Sequence, residues 1–194
     1  MTTSRLFCRL SKSSIHADTP AFGLTGVPAG GFCLSTFLVI AEHKLSGSVL
    51  MGRLNPEAPW DHIGALDRKR VEMFSKGWML PSSHLILHES PAAAAERILK
   101  EQLEIESLPL SQPKIFSDLR DREDQKGERT QHWDIGFIFT GRLRERDLPR
   151  PRAWTELRFV DLNHTQRSQI VRSHEDVLEH AGLHLGRTSE SDSH

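Results

Sequence analysis

Ile98, Glu101 and Gln102 lie three and four residues apart in a stretch that reads as helix, so their side chains share one helix face. Three carboxylates at such positions would converge into a site for a hard divalent cation, which takes oxygen ligands. Here the face carries a single formal charge, on Glu101. Arg97, four residues earlier, offers Glu101 a simpler role, a solvated ion pair worth about 0.3 kcal/mol. His84 and His88 beside Glu89 have a spacing that suits zinc on a helix, but they precede Pro91 in a loop, where the spacing does not align them. His180 and His184 straddle Gly182 and fail for the same reason. Ser82 and Ser83 match no nucleophile motif and read as turn chemistry.

The elements that must position these residues run from Trp78 to Ile105. Trp78-Met79-Leu80 is an apolar strand candidate ended by Pro81, which cannot donate to a ladder. Ser90-Pro91 is a helix start, with a capping hydroxyl followed by a proline suited to the first helical position. Ala92 to Ala95 favour helix, and no glycine or proline interrupts the run before Pro109.

This stretch resembles the Nudix box of the Nudix hydrolase superfamily: Gly, five residues, Glu, seven residues, then Arg-Glu-apolar-any-Glu-Glu-any-Gly-apolar. Glu89, Arg97, Leu99, Glu101 and Ile105 match it, as do the Trp78-x-Leu80-Pro81 lead-in, a histidine after the loop, Glu89-Ser90-Pro91 and Ala94-Ala95. Ser83 stands for the first Gly, Ile98 for the Glu after Arg, Gln102 for the second Glu of the pair and Glu104 for the late Gly. The resemblance implies an α/β/α sandwich with a mixed central sheet, the box helix on one side and a C-terminal helix on the other. It implies Mg²⁺-dependent hydrolysis of a nucleoside diphosphate linked to another moiety, with Glu101, Glu89 and Arg97 as catalytic residues. Glu101, Glu89 and Gln102 would be the metal ligands, and Arg97 would pair with Glu89. Ser83, at the glycine position, is expected to have positive φ. Loss of two helix carboxylates implies weak, substrate-assisted Mg²⁺ binding and weak activity. The alternative is a catalytically inactive Nudix-fold protein that binds a ligand or serves as an interaction scaffold.

At 194 residues, the chain suits one well-cored domain with extensions. The expected organisation is a variable arm over 1–30, a domain over 31–183 with a helical insertion at 55–76, and a disordered tail over 184–194. Lys and Arg number 25 against 26 Asp and Glu, giving no field that would gather nucleic acid or an anionic membrane. The mostly apolar run Gly31–Ala41 is about half the length a bilayer needs. Cys8 and Cys33 have no metal-ligand spacing and suggest no disulfide framework, so a reducing cytoplasm is expected. The basic, acid-free opening residues resemble a transit peptide only faintly and read better as a variable arm. The implied partner is a nucleotide-like diphosphate small molecule; a homodimer stays open.

Along the chain, Leu6–Leu10, Phe32–Ala41, Val49–Leu54, Lys114–Leu119, His132–Gly141 and Glu156–Leu162 read as strands. Phe32–Ala41 is an unbroken β-favouring run of the kind buried on both faces. His62–Phe74 reads as helix, with Asp67-Arg68-Lys69-Arg70 on a solvated side. Arg120–Thr130 reads as a charged loop, of the sort that in Nudix proteins often lends a further carboxylate. The arginines between Arg142 and Arg152 are spaced by acids and prolines, which favours an exposed connection over a phosphate grip. Gln166–Ala181 reads as an amphipathic helix with Ile170, Val171, Val177 and Leu178 inward, capped by Gly182.

Overall fold

The computed structural model describes residues 9–10, 31–43, 47–58, 68–123, 129–144, 147–149 and 151–186. Its elements are strands β1 (Arg9–Leu10), β2 (Phe32–Glu42), β3 (Ser48–Leu54), β4 (Ser82–His84), β5 (Lys114–Glu123), β6 (Arg129–Leu143) and β7 (Trp154–Asp161), with helices α1 (Arg68–Phe74), α2 (Pro91–Gln102) and α3 (His174–His180). They form one mixed sheet in the order β5-β6-β2-β3-β7, with β1 and β4 also pairing onto β2.

β2 is the axis. It runs parallel to β6 along its whole length, from Phe32↔Trp133 to Glu42↔Leu143. Its other pairings are shared by β1 at its start, β4 in the middle and β3 at its end, all antiparallel. A strand enclosed in this way is buried on both faces, which is why Phe32–Ala41 needs no polar alternation.

Successive residues of the central strands feed opposite cores, as the strand period requires. Leu38, Ile40, Leu50, Leu54 and Phe139 pack with Ala95, Ile98, Leu99 and Leu103 on the α2 side. Val39, Val49, Met51 and Ile138 pack with Ile170, Val177 and Leu178 on the α3 side. The expected α/β/α sandwich is therefore borne out. No described helix is long and apolar enough to cross a membrane.

Several boundaries differ from expectation. Trp78 and Met79 make only isolated bridges, to Ile170 and Gly52, and the ladder strand begins after Pro81, at Ser82. Pro81 lacks an N–H, but its carbonyl accepts from Leu38 N at 2.9 Å, so it admits the strand to the sheet rather than ending it. The supposed loop at 120–130 continues β5 to Glu123 and begins β6 at Arg129, with Asp121 paired to Gln131; Asp124 and Glu128 lie outside the described residues. The helix read over Gln166–Ala181 is a 3-10 turn at Arg167–Gln169 followed by the short α3, since Ile170 is extended and the Gln169 carbonyl and Val171 N–H on either side of it bond to the Trp78 backbone. Ile170, Val171, Val177 and Leu178 are all buried as expected. Of the anticipated strand Leu6–Leu10 and helix His62–Phe74, residues 6–8 and 62–67 lie outside the described residues.

His174 opens α3 fully inside the protein, its Nδ1 accepting from Leu80 N at 3.1 Å and its ring edge-on to Phe37. Burial first, and the Arg120 charge second, push its imidazole down to about 3. The unfolded chain thus binds a proton below about pH 6.5 that the folded chain refuses. The stabilisation is complete above that pH and falls by about 1.4 kcal/mol per pH unit down towards the folded pKa. Denaturant unfolding between pH 7 and 5 is expected to show this slope, and His174→Phe to flatten it. A wild-type stability level across that interval contradicts the assignment.

Candidate functional site

α2 is built as its sequence requires. Ser90 is extended at the N-cap and its hydroxyl accepts from Ala93 N, with Pro91 in the first helical turn. At the other end the chain turns through Glu104, which has φ 54°. The left-handed residue of this cap is therefore a glutamate where Nudix proteins place glycine, a costlier choice for the backbone. Ser83 has no positive φ: it sits in β4, opposite Thr36. The glycine-like conformation expected there is absent because residues 82–84, read from sequence as loop, are extended and paired to β2.

Arg97 holds this loop to the helix. Its Nε and Nη2 donate to the two Glu89 carboxylate oxygens at 2.7 and 2.8 Å, a bidentate fork. Nη1 reaches Ser83 Oγ and Nη2 the His84 carbonyl, both at 3.1 Å. Glu89 Oε2 also accepts from Ile86 N at 2.9 Å. The two side chains are only 10% and 13% exposed, so the pair works where solvent screens it little. Glu89 and Arg97 come together as the sequence predicts.

The face of positions 98, 101 and 102 does not form an open cleft. Ile98 and Gln102 are both 0% exposed, and Ile98 packs with Leu54, Ala153 and Trp154. Gln102 Nε2 donates to the Ser82 carbonyl at 2.7 Å, and its Oε1 accepts from Ser82 N at 3.2 Å. The Gln102 backbone carbonyl accepts from Trp154 Nε1 at 2.8 Å. Trp154 lies across Gly52, where a Cβ would stand 2.3 Å from the indole, so glycine is required for the ring to reach the helix. Glu101, half-buried at the flank, is the one acid of the three positions.

Against this donor set, Mg²⁺ fits in part. Glu101 together with phosphate oxygens suits one ion, since magnesium usually keeps few protein ligands. Gln102 does not fit as a ligand: it is sealed in the core and fastens Ser82. Glu89 has its carboxylate oriented by Arg97 and Ile86 N, with Oε1 accepting from Arg97 Nε alone among these bonds. A groove of about 650 Å³ opens along the other flank of α2, walled by Ala92, Ala95, Glu96, Leu99 and Phe139; Glu101 does not line it.

A polar network occupies the α3 side of the sheet. Arg120 on β5 binds Asp118 at 2.9 Å and Asp176 of α3 at a short charged contact, and His180 meets Asp118 at 3.0 Å. Burial pushes the Asp118 carboxyl up, but hydrogen bonds from His180 and Arg120 and their charges more than offset this, leaving it below the ordinary range. Arg167 reaches Asp176 and Glu179 from outside. These pairs clamp α3 to β5. The strand register behind them, Asp118↔Asp134 and Arg120↔His132, could not be read from sequence spacing.

No protein-family model matches the chain, and no curated protein matches it. Among solved structures, the chain is similar to the NUDIX domain of Shewanella oneidensis NrtR, complexed with ADP ribose: 14% identity, TM-score 0.51, covering 89% of this chain and 97% of that one. It is also similar to a MutT protein from Methanosarcina mazei Go1, at 15% identity and TM-score 0.50, covering 76% of this chain and 91% of that one. The chain therefore shares the Nudix fold of these structures.

Proposed function

We propose that the chain takes a nucleoside diphosphate linked to another moiety at its box and hydrolyses it slowly, with one Mg²⁺ held by Glu101 and the substrate's own phosphate oxygens. One observation carries this reading: the Arg97–Glu89 frame of the box is intact, while Glu101 alone remains acidic on the face of positions 98, 101 and 102. Bound Mg²⁺ supplies neutralisation of charge on the phosphate and activation of water. Arg97 keeps Glu89 and the Ser83–His84 backbone fixed, so the loop meets the substrate preorganised. Each absent carboxylate removes attraction on the order of 4 kcal/mol at about 4 Å and an effective dielectric near 20, which is why turnover is slow. The cytoplasm is the compartment proposed, in keeping with Cys33 as a buried thiol outside any disulfide.

A second reading, a ligand-binding protein without hydrolysis, is favoured by the burial of Ile98 and Gln102 in the core. Calorimetry with ADP-ribose and a panel of dinucleotides and nucleotide sugars, with and without Mg²⁺, separates the two. Hydrolysis predicts binding strengthened at least about 10-fold by Mg²⁺, a coupling of about 1.4 kcal/mol. Pure binding predicts an affinity indifferent to the metal. No binding across the panel removes both and leaves the interaction scaffold.

A further inference from the structure

We propose that the opposite face of the sheet carries a second metal site, for Zn²⁺ or a similar transition ion, built from Cys33 Sγ, His132 Nε2 and Asp134 Oδ1. Cys33 and Asp134 are register partners where β2 and β6 run parallel. His132 lies two residues before Asp134, so both project from the same side of β6. Cys33 Sγ stands 2.8 Å from Asp134 Oδ1, and His132 Nε2 stands 3.2 Å from the same oxygen. The three donor atoms all lie within 4.8 Å of one another. With zinc bonds of about 2.0–2.3 Å, tetrahedral ligands sit roughly 3.3–3.7 Å apart, so small side-chain shifts bring this trio into range.

The donors select the ion. A thiolate and an imidazole suit zinc, cobalt or copper, whereas magnesium and calcium require oxygen ligands. The site is therefore chemically distinct from the box. It is also enclosed: Cys33 is 5% and His132 3% exposed. In the metal-free protein the Cys33 thiol donates to Asp134 Oδ1; a bound ion would displace that proton, and thiolate and carboxylate together would then balance its divalent charge. Arg120 meets part of the Asp134 charge in the metal-free protein, its Nε lying 3.6 Å from Asp134 Oδ2, while its shorter contacts go to Asp118 and Asp176.

An outer shell is present too. Ser35 Oγ donates to Cys33 Sγ at 3.7 Å and lies 2.8 Å from His84 Nδ1, which then supplies the hydrogen of that second bond. Such a relay favours sulfur in its anionic form. A cysteine nucleophile is the competing use of these residue types. It needs the imidazole between thiol and carboxylate, whereas here Asp134 Oδ1 is central and touches both, and the thiol is sealed from substrate.

The test uses the full chain, reduced and stripped with chelator, titrated with Co²⁺ as probe and then with Zn²⁺ as competitor. The expected result is one Co²⁺ per chain with a thiolate-to-cobalt charge-transfer band in the near ultraviolet, displaced by Zn²⁺. Cys8→Ser should keep the band; Cys33→Ser should lose it. Asp134→Asn and His132→Gln should each weaken Co²⁺ at least about 10-fold, and Ser35→Ala about 10-fold through the outer shell, with circular dichroism of the metal-free variants confirming the fold. A wild-type protein that gives no charge-transfer band overturns the proposal without recourse to any variant, and leaves the trio a hydrogen-bonded cluster. A band that survives Cys33→Ser also overturns it.

Discussion

Arg97→Ala is expected to lower the stability of the chain by about 3 kcal/mol, the lower end of the range of about 3–5 kcal/mol for breaking a buried ion pair by removing one partner. The loss has two parts. Glu89, 13% exposed, keeps its charge without the fork that balanced it, and Ser83 and the His84 carbonyl lose donors at the same moment. Because Arg97 ties the Ser83–Glu89 stretch to α2 while Gln102 still holds Ser82, the effect should be local before it is global: amides from Ser83 to Glu89 should exchange first. Arg97→Lys is expected to recover little, since an ammonium cannot reproduce two parallel bonds to one carboxylate. Urea titration monitored by hydrogen exchange reads both effects. A loss below about 1 kcal/mol, the value of an exposed pair, would mean the fork does not fasten the loop.

The second large effect is expected from Ile98→Glu with Gln102→Glu. From sequence, restoring both acids ought to rebuild a three-carboxylate metal face. The structure reverses that expectation. Both positions are 0% exposed, Ile98 among Leu54, Ala153 and Trp154, and Gln102 with its amide on Ser82. A glutamate at 98 would be an unpaired charge in an apolar core, and one at 102 would set its oxygens against the Ser82 carbonyl in place of a donor. We expect a loss of about 5 kcal/mol or more, comparable with the whole stability of many domains. Added Mg²⁺ should raise the melting temperature little, because the ion cannot reach the pair while Trp154 spans Gly52. A folded double variant whose melting temperature climbs steeply with Mg²⁺ would show that this face opens and is a metal cleft after all.

Much of the frame was legible because it rests on local chemistry. Ser90-Pro91 and the alanines specify the start of α2 through a cap and a propensity. Phe32–Ala41 declares a doubly covered strand by lacking alternation. The Glu89–Arg97 pair was legible only through the resemblance, since eight residues across a loop carry no geometric guarantee. What stayed hidden depends on register. Cys33 lies about a hundred positions from His132 and Asp134, and nothing in that spacing says that β2 and β6 run parallel with Cys33 opposite Asp134. Ser83 was misjudged because Pro81 joins the sheet through its carbonyl, a role its missing N–H does not forbid. Gln102 reads as a weakened ligand in the motif and is instead a core amide, a difference fixed by where Trp154 and Ser82 fall. The Gln166–Ala181 helix failed midway because the Gln169 carbonyl and Val171 N–H bond to the Trp78 backbone on either side of Ile170, an option invisible to helical periodicity.

The account turns on Glu101, and hydrolysis measured beside its amide variant tests it most directly. Wild-type and Glu101→Gln protein would be assayed by coupled phosphate release with ADP-ribose and a panel of nucleotide sugars at saturating Mg²⁺. The substitution removes one charge from the half-buried flank of α2 and leaves the Arg97–Glu89 fork untouched, so folding should be unaffected. The expected result is slow Mg²⁺-dependent turnover by the wild type, falling at least about 100-fold in Glu101→Gln, or about 2.7 kcal/mol of lost transition-state stabilisation. Robust wild-type turnover that survives Glu101→Gln would contradict the account and move the chemistry away from this helix.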